Sequence, residues 1–189
     1  MVYLFLDLEM YRANRKAFFR DAKIIAIGYA KVNRNIHDFV NEHNTYPKVK
    51  ILSEWKMGNE KNMLMLFLDF LKDLNRNRLY IVGFGLTKYD IPFLIQRLVH
   101  YKIGTLDELN EFFHNLMYIN LRLIGLLLNK MKFKGSGLND TIRRINYVDP
   151  KLKKVLNEES GAIVHELYVN RKYREIEKHL ENDIKETIY

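Results

Sequence analysis

The chain has 189 residues, 48% of them hydrophobic, and its 31 Lys and Arg residues outnumber its 23 Asp and Glu residues, for a formal net charge of +8. That length suits a single domain with a sizeable core, and this composition argues against a disordered chain. The absence of cysteine excludes disulfides and thiolate metal sites, whereas the excess positive charge indicates a polyanionic partner, most commonly nucleic acid.

Apolar runs and runs with helical spacing alternate along the chain, separated by polar or glycine-rich turns. In chain order they predict a strand at 2–9, a strand at 23–32, a hairpin, edge and loop at 33–47, a strand at 49–55, a helix at 60–74, a strand at 79–84, a helix at 90–101, a strand at 117–121, a turn at 135–137, a helix at 138–145, and helical structure from 161 onward with a break near Asn170. We therefore predict one domain over residues 1–189, an α/β fold with a mixed central sheet flanked by helices.

The first predicted strand ends in two carboxylates. Asp7 and Glu9 are two residues apart, and side chains at that spacing point to the same side of a strand. Two adjacent like charges repel unless a cation compensates them, and Mg²⁺ and Mn²⁺ prefer such hard oxygen ligands. The pair therefore indicates either a divalent-metal site or an ordinary solvated strand end.

A third acidic residue stands where the fourth predicted strand passes into a helix. The segment VGFGLTKYDIPFL places Asp90 two residues before Pro92, and proline is favoured in the first helical turn. Aspartate is also a favoured N-cap, because its side chain accepts hydrogen bonds from the first backbone N–H groups. Asp90 is therefore either a helix cap or a further metal ligand.

The last predicted helix carries an acidic residue on its apolar face. In EIEKHLENDIKETIY, Asp183 lies on the same helical stripe as Ile176 and Leu180, and an acid in that position needs a partner. His179 precedes Asp183 by one turn, so the two side chains can share a site. The alternative for His179 is a half-buried helix histidine with a backbone or water partner.

Taken in order, these segments resemble the DEDD superfamily of 3′–5′ exonucleases, which have a ribonuclease H-like fold. They are most similar to the proofreading exonuclease domain of family-B DNA polymerases and its stand-alone relatives. The segments are DLE at 7–9, YDIPFL at 89–94 and HLEND at 179–183. The second follows the family's Phe-Asp-x-Pro-x-Leu motif, and Asp183 is followed by Thr187 at the family's offset.

The resemblance implies hydrolysis of phosphodiester bonds at the 3′ end of DNA or RNA, with single strands preferred. Asp7, Glu9, Asp90 and Asp183 would bind two Mg²⁺ or Mn²⁺ ions. His179 would orient the attacking water or take its proton.

Three positions depart from the family pattern. His179 stands at the spacing of the family's tyrosine, whereas the histidine branch places its histidine one residue earlier, where this chain has Lys178. Met10 replaces the threonine that follows the first glutamate, and Gly85 replaces the asparagine five residues before the second-motif aspartate. In the family, these positions contribute to water activation and to binding of the terminal nucleotide, so the departures bear on the rate and the substrate of the reaction.

Residues beside the motifs are predicted to contact substrate. Those assigned to substrate binding are Leu8, Met10, Tyr11, Lys88 and Phe93. Aromatic rings such as Tyr11 and Phe18 can stack on bases, and nearby cations can neutralise phosphates. The cations are Arg12, Arg15, Lys16, Lys88, Lys130, Lys132 and Lys134.

No membrane association is expected. The longest apolar runs, MLMLFLDFL and LRLIGLLL, are too short to span a bilayer. The N-terminal run lacks a basic stretch and is cut short by Asp7 and Glu9, so we expect no signal peptide. We expect a cytoplasmic or nucleoid-associated protein, and the sequence leaves the oligomeric state open.

Two alternatives to an exonuclease stay open. A non-catalytic or catalytically weak nucleic-acid-binding module would account for the altered third motif and for Met10. An endonuclease of the same fold, such as a ribonuclease H or a junction resolvase, is the other. The Asp7 and Glu9 pair and the late helix aspartate favour the exonuclease.

Overall fold

The computed structural model describes residues 2–13, 21–33, 47–75, 78–148 and 163–188, and a five-stranded mixed sheet forms its centre. The strands are β1 (Val2–Tyr11), β2 (Lys23–Val32), β3 (Val49–Ser53), β4 (Leu79–Gly83) and β5 (Met117–Asn120). Their order across the sheet is β3-β2-β1-β4-β5. β1 pairs antiparallel with β2 and parallel with β4, β2 pairs antiparallel with β3, and β4 pairs parallel with β5. The predicted α/β fold with a mixed sheet is confirmed.

Helices cover both faces of this sheet. They are α1 (Glu54–Met57), α2 (Glu60–Asn75), α3 (Asp90–His100), α4 (Leu106–His114), α5 (Leu121–Leu128), α6 (Leu138–Val148), α7 (Ile163–Val169) and α8 (Tyr173–Ile188). On one face, α2, α3 and α4 pack over the largest hydrophobic core, and on the other face α7 and α8 close two smaller clusters.

The alternation of β1 decides which face carries the acidic residues. Leu4, Leu6 and Leu8 are buried in the large core, whereas Phe5 lies in a smaller cluster on the opposite side, against α8. Because side chains alternate along a strand, the odd-numbered Asp7 and Glu9 share the face of Phe5. The leucines therefore anchor β1 while the acids face α8.

A β-bulge lies beside Glu9. Glu9 is opposite Ala26, but Met10 is opposite Ile24, so β2 contains one extra residue at this point. The backbone N–H of Ile24 donates to Oε1 of Glu60 over 2.8 Å. Glu60 is 2% exposed and also binds Arg97 through Nε (2.8 Å) and Nη2 (2.6 Å). One buried carboxylate thus joins α2 and α3 to the bulged strand.

The structure differs from the predicted elements at three places. The third strand was predicted to reach residue 55 but ends at Ser53. Helix α1 begins directly after it and ends at Gly58, which has a φ of 84°. Helices α4 and α5 were not predicted, although Thr105 and Glu108 form a capping box at the start of α4. The predicted break near Asn170 is confirmed between α7 and α8. Most of segment 33–47 lies outside the described residues.

None of the helices within the described ranges has both the length and the apolar character needed to cross a bilayer.

Candidate active site

Close packing of α8 on the sheet brings its side chains to β1. Gly28, opposite Asp7 in the β1–β2 pair, lies under Leu180 of α8. A Cβ added at Gly28 would lie 2.6 Å from Leu180 Cγ, so only glycine permits this approach. The contact fixes α8 above the strand that carries Asp7 and Glu9.

His179 lies between two carboxylates. Its Nε2 is 3.7 Å from Oε1 of Glu9 and 3.6 Å from Oδ2 of Asp183. One potential ligand atom from each of these residues lies within 4.8 Å of the others. His179 and Glu9 are buried, at 2% and 8% exposure, whereas the Asp183 side chain keeps 25% of its surface accessible. Glu9 is therefore not part of a solvated strand end, and His179 is more deeply buried than a half-buried helix histidine.

Asp90 is the first residue of α3, not its cap. The N-cap position belongs to Tyr89, whose side chain makes no capping hydrogen bond. Asp90 is only 6% exposed, whereas an aspartate at a solvated helix start would be accessible to water. The capping alternative therefore does not account for Asp90.

The four acids act on one another electrostatically. Burial, followed by the charge of Asp183, raises the pKa of Asp7 to about 7. Burial and then the charges of Asp7, Asp183 and Asp90 raise the pKa of Glu9 well above its usual value. Burial and then Asp7 do the same to the pKa of Asp90. The structure thus brings Asp7, Glu9, Asp90, Asp183 and His179 together around one site.

The donor set of this site fits a divalent cation. Carboxylate oxygens, such as those of Asp7, Glu9, Asp90 and Asp183, suit Mg²⁺ and Mn²⁺. In the described part of the chain, no Lys or Arg forms an ion pair with Asp7, Glu9 or Asp90. Buried like charges without such compensation are costly, and a divalent ion would remove that cost.

The residues predicted to contact substrate fall into different environments. Leu8 and Phe93 are 5% and 1% exposed and lie in the large core, so their side chains pack against other apolar side chains. Met10 is partly buried against the same core. Tyr11 stacks on the His165 ring, with centroids 5.2 Å apart. The structure therefore does not gather these four side chains on one open surface.

Lys88, two residues before Asp90 in the chain, is in contrast exposed. Its Nζ lies 5.2 Å from the ring centroid of Tyr89 and 5.7 Å from that of Phe133. Arg122 lies 5.6 Å from the Tyr89 ring, and hydrogen bonds from Lys88 and Arg122 lower the pKa of the Tyr89 phenol. We refer to Lys88, Tyr89, Arg122 and Phe133 as the cation-aromatic cluster. Its aromatic rings are 36% (Tyr89) and 58% (Phe133) exposed.

Phe133 and Arg122 were missed at the level of sequence. The alternation of lysines around Phe133 in KMKFK was the available signal, since cations interleaved with an aromatic residue are typical of nucleic-acid surfaces. Lys130, Lys132 and Lys134 are all exposed in this loop, and Arg12 is half-buried. Arg15, Lys16 and Phe18 lie outside the described residues.

Comparison with known proteins bears on this site. Residues 6–146 match the family model described as DNA polymerase family B, exonuclease domain. No curated protein matches the chain. Among solved structures, the family-B DNA polymerase from the hyperthermophilic archaeon Pyrobaculum calidifontis matches with a TM-score of 0.63 and 13% sequence identity. The match covers 99% of this chain and 23% of that polymerase chain. The family match includes Asp7, Glu9 and Asp90 and ends before α8.

Proposed function

The chain belongs to the family of exonuclease domains of family-B DNA polymerases, and from that premise we propose that it is a metal-dependent 3′–5′ exonuclease acting on single-stranded nucleic acid. The observation that supports this most strongly is the convergence of His179 and Asp183, from outside the matched segment, on Glu9 within it. Three separated parts of the sequence supply one cluster of acids. A module that only binds a polyanion has no use for such a cluster.

In this proposal each acid has a role in holding the cation site. Asp7, Glu9 and Asp183 would hold one ion, and Asp7 would share a second ion with Asp90. When bound, two ions supply charge stabilisation at the phosphate and lower the pKa of a bound water. The raised pKa values of Asp7, Glu9 and Asp90 mean that cation binding must also displace protons.

His179 would act on the attacking water. Its Nε2 faces Glu9 and Asp183, so this nitrogen is directed into the acidic site. An imidazole there can accept a proton or orient a hydroxyl by hydrogen bonding. Thr187 donates from Oγ1 to the carbonyl oxygen of Asp183 over 2.8 Å, which steadies the helix turn that presents Asp183.

The cation-aromatic cluster would guide the strand toward these groups. Tyr89 directly precedes Asp90 in the chain, so a base stacked on this cluster would approach the helix start that carries Asp90. Exposed lysines around Phe133 would neutralise phosphates of the approaching strand. The formal charge of +8 favours encounter with a polyanion.

The test is release of mononucleotides from a 3′-labelled single strand in Mn²⁺ or Mg²⁺. Wild type should release labelled mononucleotides as the first product, and Asp7→Asn should release none. Asp69→Asn serves as a control, because Asp69 is an exposed acid on α2 away from the site. A circular single strand should stay intact. Cleavage of the circle would indicate an endonuclease, and binding without cleavage in either metal would indicate a binding module.

A further inference from the structure

Large aliphatic side chains on one side of α5 are open to solvent. Leu123, Ile124, Leu127 and Leu128 are 57%, 53%, 70% and 45% exposed, and positions with this spacing lie together on one side of a helix. Leu126, on the inner side of α5, is 2% exposed. We refer to the four exposed side chains as the aliphatic face. An exposed apolar patch of this kind marks a place where a protein contacts another molecule.

An apolar cavity opens beside the aliphatic face. Its volume is about 320 Å³, and Ile124 and Leu128 line it together with Ile145 of α6, which is also exposed. Most of its wall is apolar and includes the rings of Phe5 and Phe84. An apolar cavity of about 150 Å³ is already large enough for benzene. The cavity therefore has room for a large apolar side chain from another molecule.

A basic recess of about 370 Å³ adjoins this cavity, and Leu128 lines both. The residues that line the recess are Leu128, Asp140, Arg143, Arg144 and Tyr147. Its two arginines outnumber its one acid. Residues 121–148 as a whole contain six Lys and Arg residues and one Asp, a formal charge of +5 out of +8 for the chain. A molecule that covers this surface must therefore combine apolar groups with negative charge.

We infer that the aliphatic face and the two recesses beside it bind an acidic, amphipathic segment of a partner protein. One large apolar side chain of that segment enters the apolar cavity, and others cover Leu123 and Leu127. Its carboxylates pair with Arg143 and Arg144, whose guanidinium groups match carboxylates in geometry. This is the mode in which an amphipathic helix binds a groove through apolar anchors one turn apart.

Three other occupants match this surface less well. Aliphatic side chains give bases no aromatic plane to stack on, so a nucleic acid strand would leave the aliphatic face uncovered. A bilayer binds an amphipathic helix along its length and leaves a recess beside the helix unfilled. A twofold dimer would bring Arg143 and Arg144 of both copies to one interface, where like charges repel.

The experiment titrates fluorescein-labelled peptides with the full chain in EDTA and follows fluorescence anisotropy. Each peptide has about twelve residues, with Leu or Phe at two positions four apart and Asp or Glu at most of the others. At least one peptide should bind with a Kd of about 100 μM or lower. Replacing its two anchors with Ala, or its acids with Lys, should each weaken binding about tenfold or more.

Variants of the protein test the apolar and the basic part of the surface separately. Leu123→Gln combined with Leu127→Gln should weaken binding of the best peptide about tenfold or more, and so should Arg143→Glu. Leu66→Gln on α2 and Arg174→Glu on α8 are matched controls and should bind like wild type. All five residues are exposed, so we expect every variant to fold.

Absence of binding by every peptide up to about 1 mM, or equal binding by wild type and the double leucine variant, would overturn the inference. A dimer in ultracentrifugation, binding to vesicles of anionic lipid, or binding to a single strand would also overturn it if the double leucine variant loses that interaction. Each of these results would assign the aliphatic face to a different occupant. Because nothing is hydrolysed in EDTA, peptide binding is independent of whether the chain is an exonuclease.

Discussion

Replacing Asp7 with asparagine should stabilise the metal-free protein at neutral pH while it abolishes hydrolysis. Burial, followed by the charge of Asp183, raises the pKa of Asp7 from 3.8 to about 7 in the folded protein. The folded state therefore holds this proton more tightly than the unfolded chain. The stability that this proton on Asp7 contributes is complete below pH 3.8 and is lost as the pH rises through 7.

The size of this effect follows from the two pKa values. Each pH unit between them is worth about 1.4 kcal/mol, so the full loss is about 4 kcal/mol, of which about 3 kcal/mol falls between pH 5 and pH 8. Asp7→Asn carries no titrating group at this position and escapes the loss. Relative to wild type, the variant should therefore gain about 3 kcal/mol of unfolding free energy over that pH range.

The assay is urea unfolding at pH 5 and pH 8 in EDTA, for wild type, Asp7→Asn and the exposed control Asp69→Asn. Adding Mn²⁺ at pH 8 should stabilise wild type and the control by mass action, and should leave Asp7→Asn almost unchanged. The reasoning is refuted if Asp7→Asn and wild type lose the same free energy between the two pH values, or if Mn²⁺ stabilises them equally.

Three further predictions concern the water-activating group, the strand surface and the bulge. His179→Ala should lower kcat by about 10²–10⁴-fold while Mn²⁺ titration shows unchanged binding; a fully active variant would reject the role. Combining Lys88→Ala with Phe133→Ala should raise KM for single strands. It should also reduce the slope of log affinity against log salt concentration by about one. An unchanged KM would mean that the strand binds elsewhere. Glu60→Ala should destabilise the protein by about 3–5 kcal/mol, because it leaves the Arg97 guanidinium buried and unpaired. Urea unfolding measures this loss. A loss below about 1 kcal/mol would mean that the Glu60–Arg97 pair is not buried in solution.

Regular elements were predictable where burial imposes a simple pattern. β1 and β2 are apolar runs, and α2, α3 and α8 carry apolar residues at helical spacing, so each was found near its observed bounds. Helix α5 was missed because its sequence, LRLIGLLL, is apolar at every position except Arg122 and so shows no alternation of apolar and polar faces. In the structure Leu123 and Leu127 are 57% and 70% exposed, which no periodicity indicates.

The site was predictable as a set of residue types in order, but not in its details. The alternation of β1 already implies that the Leu8 side chain, between Asp7 and Glu9, faces the opposite side of the sheet, so its assignment to substrate binding stays a prediction. The bulge opposite Glu9 depends on Glu60, 36 residues from Ile24, a long-range contact without a local signal. The cation-aromatic cluster likewise joins residues that are distant in sequence, from two loops and from helix α5.

The most direct measurement is anomalous diffraction from crystals of the full chain soaked in Mn²⁺ at neutral pH. We predict two manganese peaks bound by carboxylate oxygens of Asp7, Glu9, Asp90 and Asp183, and loss of both peaks in Asp7→Asn. Crystals that show no manganese at these acids, or that place Asp183 far from Asp7, would contradict the proposed active site.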